Sequence, residues 1–188
     1  MLRSESILTE TIMAETLVTS RKIFEAIEDG NVQYVNSALR DHREILTSKG
    51  WVTWLDSAAR AGRIEILKLL VEAGADINEP YSDDSRQSPE GVIDLAASEG
   101  HLDVVGWMID QGAIFNHTMS GQTRCFALNN ASRRGHIDVV KLLVERGANL
   151  KANWAGMTAL DHAIAYDKVG VANYLRSVGA KTAQELQG

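Results

Sequence analysis

Three stretches, AGRIEILKLLVEAGADIN at 61–78, EGHLDVVGWMIDQGAIFN at 99–116 and RGHIDVVKLLVERGANLK at 134–151, align without a gap, and KVGVANYLRSVGAK at 168–181 continues their register. A first glycine falls at Gly62, Gly100 and Gly135, with Asp167 in the fourth stretch, and twelve residues later each carries a Gly-Ala pair, from Gly74-Ala75 to Gly179-Ala180. Between these marks the apolar residues recur at helical spacing, Ile66, Leu67 and Leu70 in one stretch and Val139, Val140 and Leu143 in another. A glycine that closes such a run takes the left-handed conformation without a Cβ penalty, so the pattern predicts a helix of about ten residues capped by Gly.

Upstream of the first glycine a second pattern holds. Alanine stands at Ala26, Ala58, Ala96, Ala131 and Ala163, each preceded three positions earlier by Ile23, Leu55, Ile93, Leu128 or Leu160. This predicts another short helix, with a small residue where a neighbouring helix must come close. The repeating element is therefore helix–turn–helix followed by a loop. Helices this short are marginal alone in water, so their stability must come from stacking one repeat on the next.

At this point the sequence resembles the ankyrin-repeat family. The resemblance is carried by AARAGRIEILKLLVEAGADIN (58–78), LAASEGHLDVV (95–105), ASRRGHIDVVKLLVERGAN (131–149) and GMTALDHAIAYDKVGVANYLRSVGAK (156–181), and it covers residues 20–181. It implies an all-α solenoid of about five helix-turn-helix repeats with projecting β-turn fingers, whose inner helices and fingers form a concave protein-binding face. The implied organisation is an N-terminal extension or cap helix at 1–19, a divergent first repeat at 20–50, repeats at 51–78, 89–116, 124–151 and 156–181, and a polar tail at 182–188. The polar ending is similar to that of stand-alone bacterial members. The family's Thr-Pro-Leu-His becomes Thr158-Ala159-Leu160-Asp161, with Asp56, Asp94 and Asn129 at the equivalents of Asp161. Asp and Asn accept backbone N–H bonds at helix starts, so the capping task can persist with different chemistry.

Composition narrows the function. The 188 residues are 45% apolar and 23% charged, proportions of a globular chain rather than a disordered one. The single cysteine, Cys125, excludes an internal disulfide and points to a reducing, cytoplasmic location. Glu5, Glu10 and Glu15 stand where a signal peptide would need an apolar block. A net charge of −6 opposes binding to phosphate backbones, so no nucleic acid is expected. No apolar run reaches the roughly 18–20 residues of a membrane span, one cysteine cannot build a thiolate zinc site, and no phosphate-cradling glycine loop is present, so no membrane, metal or cofactor is expected either. The expected partner is another protein, with basic charge to complement the acidic balance, bound by a monomer.

Residues that would line the concave face under the resemblance are Glu25, Glu28, Ser57, Arg60, Leu95, Ser98, Glu99, Asn130, Arg133, Arg134, His162 and Tyr166. Aromatic side chains add finger candidates: Trp51, Trp54, Tyr81, Phe115, Phe126 and Trp154 fall in or near the fingers, with Trp51, Tyr81 and Trp154 as contacts, Phe115 and Phe126 packing beneath, and Trp107 in the core. Arg124 lies in the same finger as Cys125. The partner-binding set is thus Trp51, Arg60, Tyr81, Arg124, Arg133, Arg134, Trp154, His162 and Tyr166. His101 and His136 occupy the Gly-His position of the repeat and are read as structural. The expected function is a non-catalytic protein-interaction module, with a dedicated inhibitor, such as a bacterial immunity protein, as the alternative. A Cys-dependent enzyme built on Cys125, His136 and Asp138 is the rival from another class, resting on residue types alone.

Overall fold

The computed structural model describes residues 19–41, 48–78, 91–119 and 122–188, with the side chains of 48–52, 119 and 122 outside the description. The chain divides into two compact units, Met1–Asp76 and Ile77–Gly188. In the first unit, helical residues 19–28 (α1) precede α2 (Val32–Asp41), α3 (Ser48–Arg60) and α4 (Ile64–Glu72). The second unit contains α5 (Val92–Glu99), α6 (Leu102–Asp110), a hairpin of β1 (His117–Met119) and β2 (Gln122–Arg124), then α7 (Phe126–Arg134), α8 (Ile137–Glu145), α9 (Ala159–Ala165), α10 (Val169–Ser177) and α11 (Ala183–Gln187). The N-terminal extension or cap helix expected at 1–19 lies outside the described residues up to position 18, as do residues 42–47 of the divergent first repeat.

The periodic positions are the core. Ile66, Leu67 and Leu70 on α4, Val104, Val105 and Met108 on α6, and Val140 and Leu143 on α8 are fully buried, and Ala58, Ala96, Ala131 and Ala163 have no exposed surface either. In the second unit the first helices of successive repeats form one row, α5 on α7 and α7 on α9, while the second helices form another, α6 on α8 and α8 on α10. Alanine in the first row lets helix backbones approach, and the branched side chains of the second row fill the space between rows. The three second helices of this unit each span 9 residues.

Within each unit, one repeat is tied to the next at the first glycine. Gly30, Gly100 and Gly135 all hold positive φ, between +71° and +88°, and each receives on its open face a side chain from the following repeat. A Cβ on Gly30 would lie 3.2 Å from the Arg63 guanidinium, one on Gly100 only 2.5 Å from the His136 ring, and one on Gly135 2.9 Å from Lys168 Cδ. The absence of a side chain therefore does two things there, permitting the turn and opening the contact. Arg63 Nη2 donates to the Glu28 carbonyl at 2.7 Å, and His136 Nε2 lies 3.0 Å from the Ser98 carbonyl oxygen, to which it donates. Both carbonyls end a first helix, where no intrahelical partner exists and a donor complements the dipole. Asp167 takes the equivalent turn without glycine, at φ 54°.

A second tie runs along the loops. Asn78 donates to the Gly112 carbonyl at 3.2 Å and accepts from Ile114 N–H at 2.8 Å; Asn116 repeats this on Gly147 and Asn149 at 3.0 Å each. The next position in register is Lys151, and this series stops there. The finger at 153–157 is a tight turn, with Trp154 and Met157 exchanging backbone hydrogen bonds at 3.0 Å and Ala155 and Gly156 at positive φ, as a type I′ turn requires.

Three expectations are corrected. Residues 183–187 of the supposed tail form a short helix, started by a capping box between Thr182 and Glu185, because Thr-x-x-Glu satisfies two orphan amides reciprocally. Trp107 is half-buried rather than core, as are Leu69 and Leu142 at the matching position, which lies on a helix flank. Trp54, read as near a finger, is 2% exposed within α3.

The glycine contact is testable by contrast. Gly100→Ala should cost about 1–2 kcal/mol for the left-handed backbone alone, and about 1 kcal/mol more because displacing the ring breaks the His136–Ser98 bond. Gly112→Ala, whose added Cβ would meet nothing within 4 Å, should show only the backbone cost. Urea unfolding of both variants checks this; equal losses would mean that the ring contact contributes nothing.

Candidate partner-binding surface

The row of first helices in the second unit brings the C-terminal turns of α5, α7 and α9 together. Glu99, Arg133, Arg134, His136, Tyr166 and Lys168 line an open groove of about 500 Å³ there. Each side chain arrives by the repeat register: Arg133 and Arg134 end α7, Tyr166 caps α9, and Lys168 precedes α10. Arg134 pairs with Glu99 at 3.2 Å. The Arg133 guanidinium lies 5.8 Å from the centre of the Tyr166 ring, within cation–π range, and that ring is 51% exposed.

A second cluster lies under the fingers. Phe126, 1% exposed, meets Trp154 edge-on at 5.7 Å, and Trp154 in turn stacks at 28° on His162 with centroids 6.5 Å apart. His162 is only 7% exposed, so it supports Trp154 from below rather than facing outward. Burial lowers its pKa, with help from the charge of Arg133 and against Asp161. Nearby Asp94, wholly buried, caps the start of α5 by accepting from Gly91 N–H at 2.7 Å, while His117 Nε2 stands 3.6 Å from the same carboxylate. Burial raises the Asp94 pKa against the opposing pull of His117 and of the Gly91 and Ala127 amides.

The structure thus sorts the expected contact residues. Arg133, Arg134 and Tyr166 share one groove, and Trp154 and His162 share the aromatic cluster. Arg60 ends α3 in the first unit, exposed, and Arg124 is half-buried on β2 with its Nε enclosed and lacking a hydrogen-bond partner. Trp51 lies on α3 with its side chain outside the described residues, as is all of Tyr81. Ser57, Leu95, Ser98 and Asn130, read as lining an open face, are each at most 8% exposed, because they sit where neighbouring helices and cap residues cover the row. Ser57 Oγ donates to Glu28 Oε1 at 2.8 Å, and Ser98 lies under His136.

Comparison with known proteins matches residues 93–185 to a model of ankyrin repeats in three copies and residues 55–81 to the single ankyrin repeat. The chain belongs to the ankyrin-repeat family. No curated protein matches it. Ankyrin repeats generally mediate protein–protein interaction, and the pairs α3–α4, α5–α6, α7–α8 and α9–α10 fall largely within the matched stretches, with α1 and α2 outside them.

Within this ankyrin framework Cys125 is not a finger-tip residue. It occupies the position before α7, is fully buried, and burial pushes its thiol up to about 12. A nucleophilic cysteine needs its thiolate near neutral pH and access to substrate. His136, the base imagined for it, is occupied by the Ser98 carbonyl. Among the described residues no three His, Cys, Asp or Glu side chains gather to hold a metal ion, and no helix is long and apolar enough to cross a membrane. Sequence reading missed Lys168 as a surface residue. Its signal was present: it stands in the place of His136 one ankyrin repeat later, after Asp167 in the glycine position.

Two measurements follow. Native protein at pH 7.5 should resist iodoacetamide at Cys125 and react fully after denaturation, read by mass spectrometry; rapid native alkylation would contradict the burial. For His162 the folded pKa lies below the unfolded value of about 6.5, so the unfolded chain takes up the proton first. Its contribution is present above about pH 6.5 and is lost as pH falls through that value toward the folded pKa. His162→Phe should therefore flatten the fall in melting temperature between pH 7 and 5, and an unchanged slope would remove His162 as its source.

Proposed function

We propose that this chain is a non-catalytic module that binds a partner protein through the C-terminal ends of its first helices and the adjacent fingers. The observation that carries this reading is the groove of Arg133, Arg134 and Tyr166, where guanidinium and aromatic side chains stand together and open to solvent. Arg, Tyr and Trp are the residues most enriched at interface hot spots, and a rigid repeat scaffold presents them with little ordering cost. In the second unit Arg124 and Trp154 extend the contact set, and His162 serves it by holding Trp154; Arg60, Trp51 and Tyr81 are separate candidate contacts. A partner of basic net charge suits the overall −6, whereas the part that enters this groove meets local positive charge.

The test is affinity capture from the native source followed by native mass spectrometry. A stoichiometric complex with one protein is expected, and Tyr166→Ala and Arg134→Glu should each weaken it by about tenfold or more, the range of a hot-spot residue, while circular dichroism stays unchanged. A complex indifferent to both substitutions, or no protein complex at physiological salt, would overturn the reading.

A further inference from the structure

We propose that the groove between the ends of α7 and α9 receives an acidic segment of the partner, with an Asp or Glu carboxylate taken by Lys168 and by the Arg133 guanidinium that the Tyr166 ring supports. This rests on the protein-binding reading above and adds the chemistry of the segment. The first support is charge. In a chain of net charge −6, this groove gathers Arg133, Arg134 and Lys168 against a single carboxylate, Glu99. Glu99 is already engaged by Arg134, and among the described residues the other two cations have no acidic partner within ion-pair distance.

The second support is the register of the cap residue. Arg63 and His136 stand on the preceding glycine and spend a donor on the carbonyl that ends the preceding first helix. Lys168 stands on Gly135 in the same way, its stem pressed to the glycine, yet its ammonium makes no hydrogen bond or ion pair among the described residues. Arg133 likewise has its guanidinium over Tyr166 and no hydrogen-bond acceptor among the described residues. Five planar N–H donors and an ammonium facing one groove match a carboxylate, which accepts from a guanidinium in bidentate fashion. A nucleic acid would need a longer basic track and a succession of stacking faces, and the net charge opposes its backbone.

The probe is acetylated hexaglutamate, added to isotope-labelled full-length protein and followed by amide chemical shifts, with hexalysine and hexathymidylate as comparators. Hexaglutamate should move the amides of 133–136 and 166–168, with an affinity that falls as salt rises. Lys168→Gln, which keeps the stem on Gly135, and Arg133→Gln should each weaken it by about tenfold, the scale of one lost charge-assisted contact, with all other shifts retained. Hexaglutamate that leaves these amides unmoved, binds equally to both variants, or is matched there by hexalysine or hexathymidylate overturns the assignment. The native complex separates this from the broader reading: a captured partner that depends on Tyr166 but is indifferent to Lys168→Gln and Arg133→Gln leaves the module standing and removes the acidic segment.

Discussion

Within each unit, the stacking depends on a side chain from one repeat lying on a left-handed glycine of the repeat before it. The helices are too short to persist alone, so each must be held where its neighbour can cover it. Burial supplies the energy, but burial is not directional and would tolerate sliding of one repeat over another. The Arg63–Gly30, His136–Gly100 and Lys168–Gly135 contacts supply the register. Where the side chain also reaches the helix-ending carbonyl, as Arg63 and His136 do, it satisfies a group that would otherwise face the next repeat unpaired.

This arrangement explains why so much of the fold could be read from sequence. Apolar spacing reports burial directly, and Leu67, Val105, Val140 and Leu175 are all without exposed surface. Left-handed turns are reported by glycine, because few other residues adopt them. The less legible parts depend on which way a polar side chain turns. Asn78 and Asn116 look like ordinary loop residues until their partners on the next loop are known. Likewise Thr182 and Glu185 start a helix through mutual hydrogen bonds that composition alone disguises as a hydrophilic end.

The candidate site divides along the same line. Arg133, Arg134 and Tyr166 were legible because a repeat register assigns each residue to a helix end, and those ends meet. His162 is less legible as a contact, because it is buried and stacked against Trp154, which comes from the preceding finger. Lys168 was passed over because it fills a structural position; only its unspent ammonium sets it apart from Arg63 and His136. Cys125 shows the converse, a chemically suggestive residue whose surroundings withhold its chemistry.

The short helix α11 has a consequence beyond its own stability. Its first amide, on Ala183, donates to Asp161 Oδ2 at 2.7 Å, and the same oxygen also accepts from Thr158 N–H at 2.8 Å. In the second unit Asp94 is placed to receive the Ala127 amide in the same way, so α11 stands in the seat of a following repeat's first helix. A stack of like repeats presents at its edge the template on which another copy could add, and end-to-end growth into filaments is the characteristic hazard of open repetition. Residues 181–187 cover that edge of α9, through the Lys181 carbonyl that accepts from Thr158 Oγ1, the Ala183 amide on Asp161 and the Arg176–Glu185 pair at 2.6 Å. That cover on Asp161 is set by hydrogen bonding rather than by surface charge.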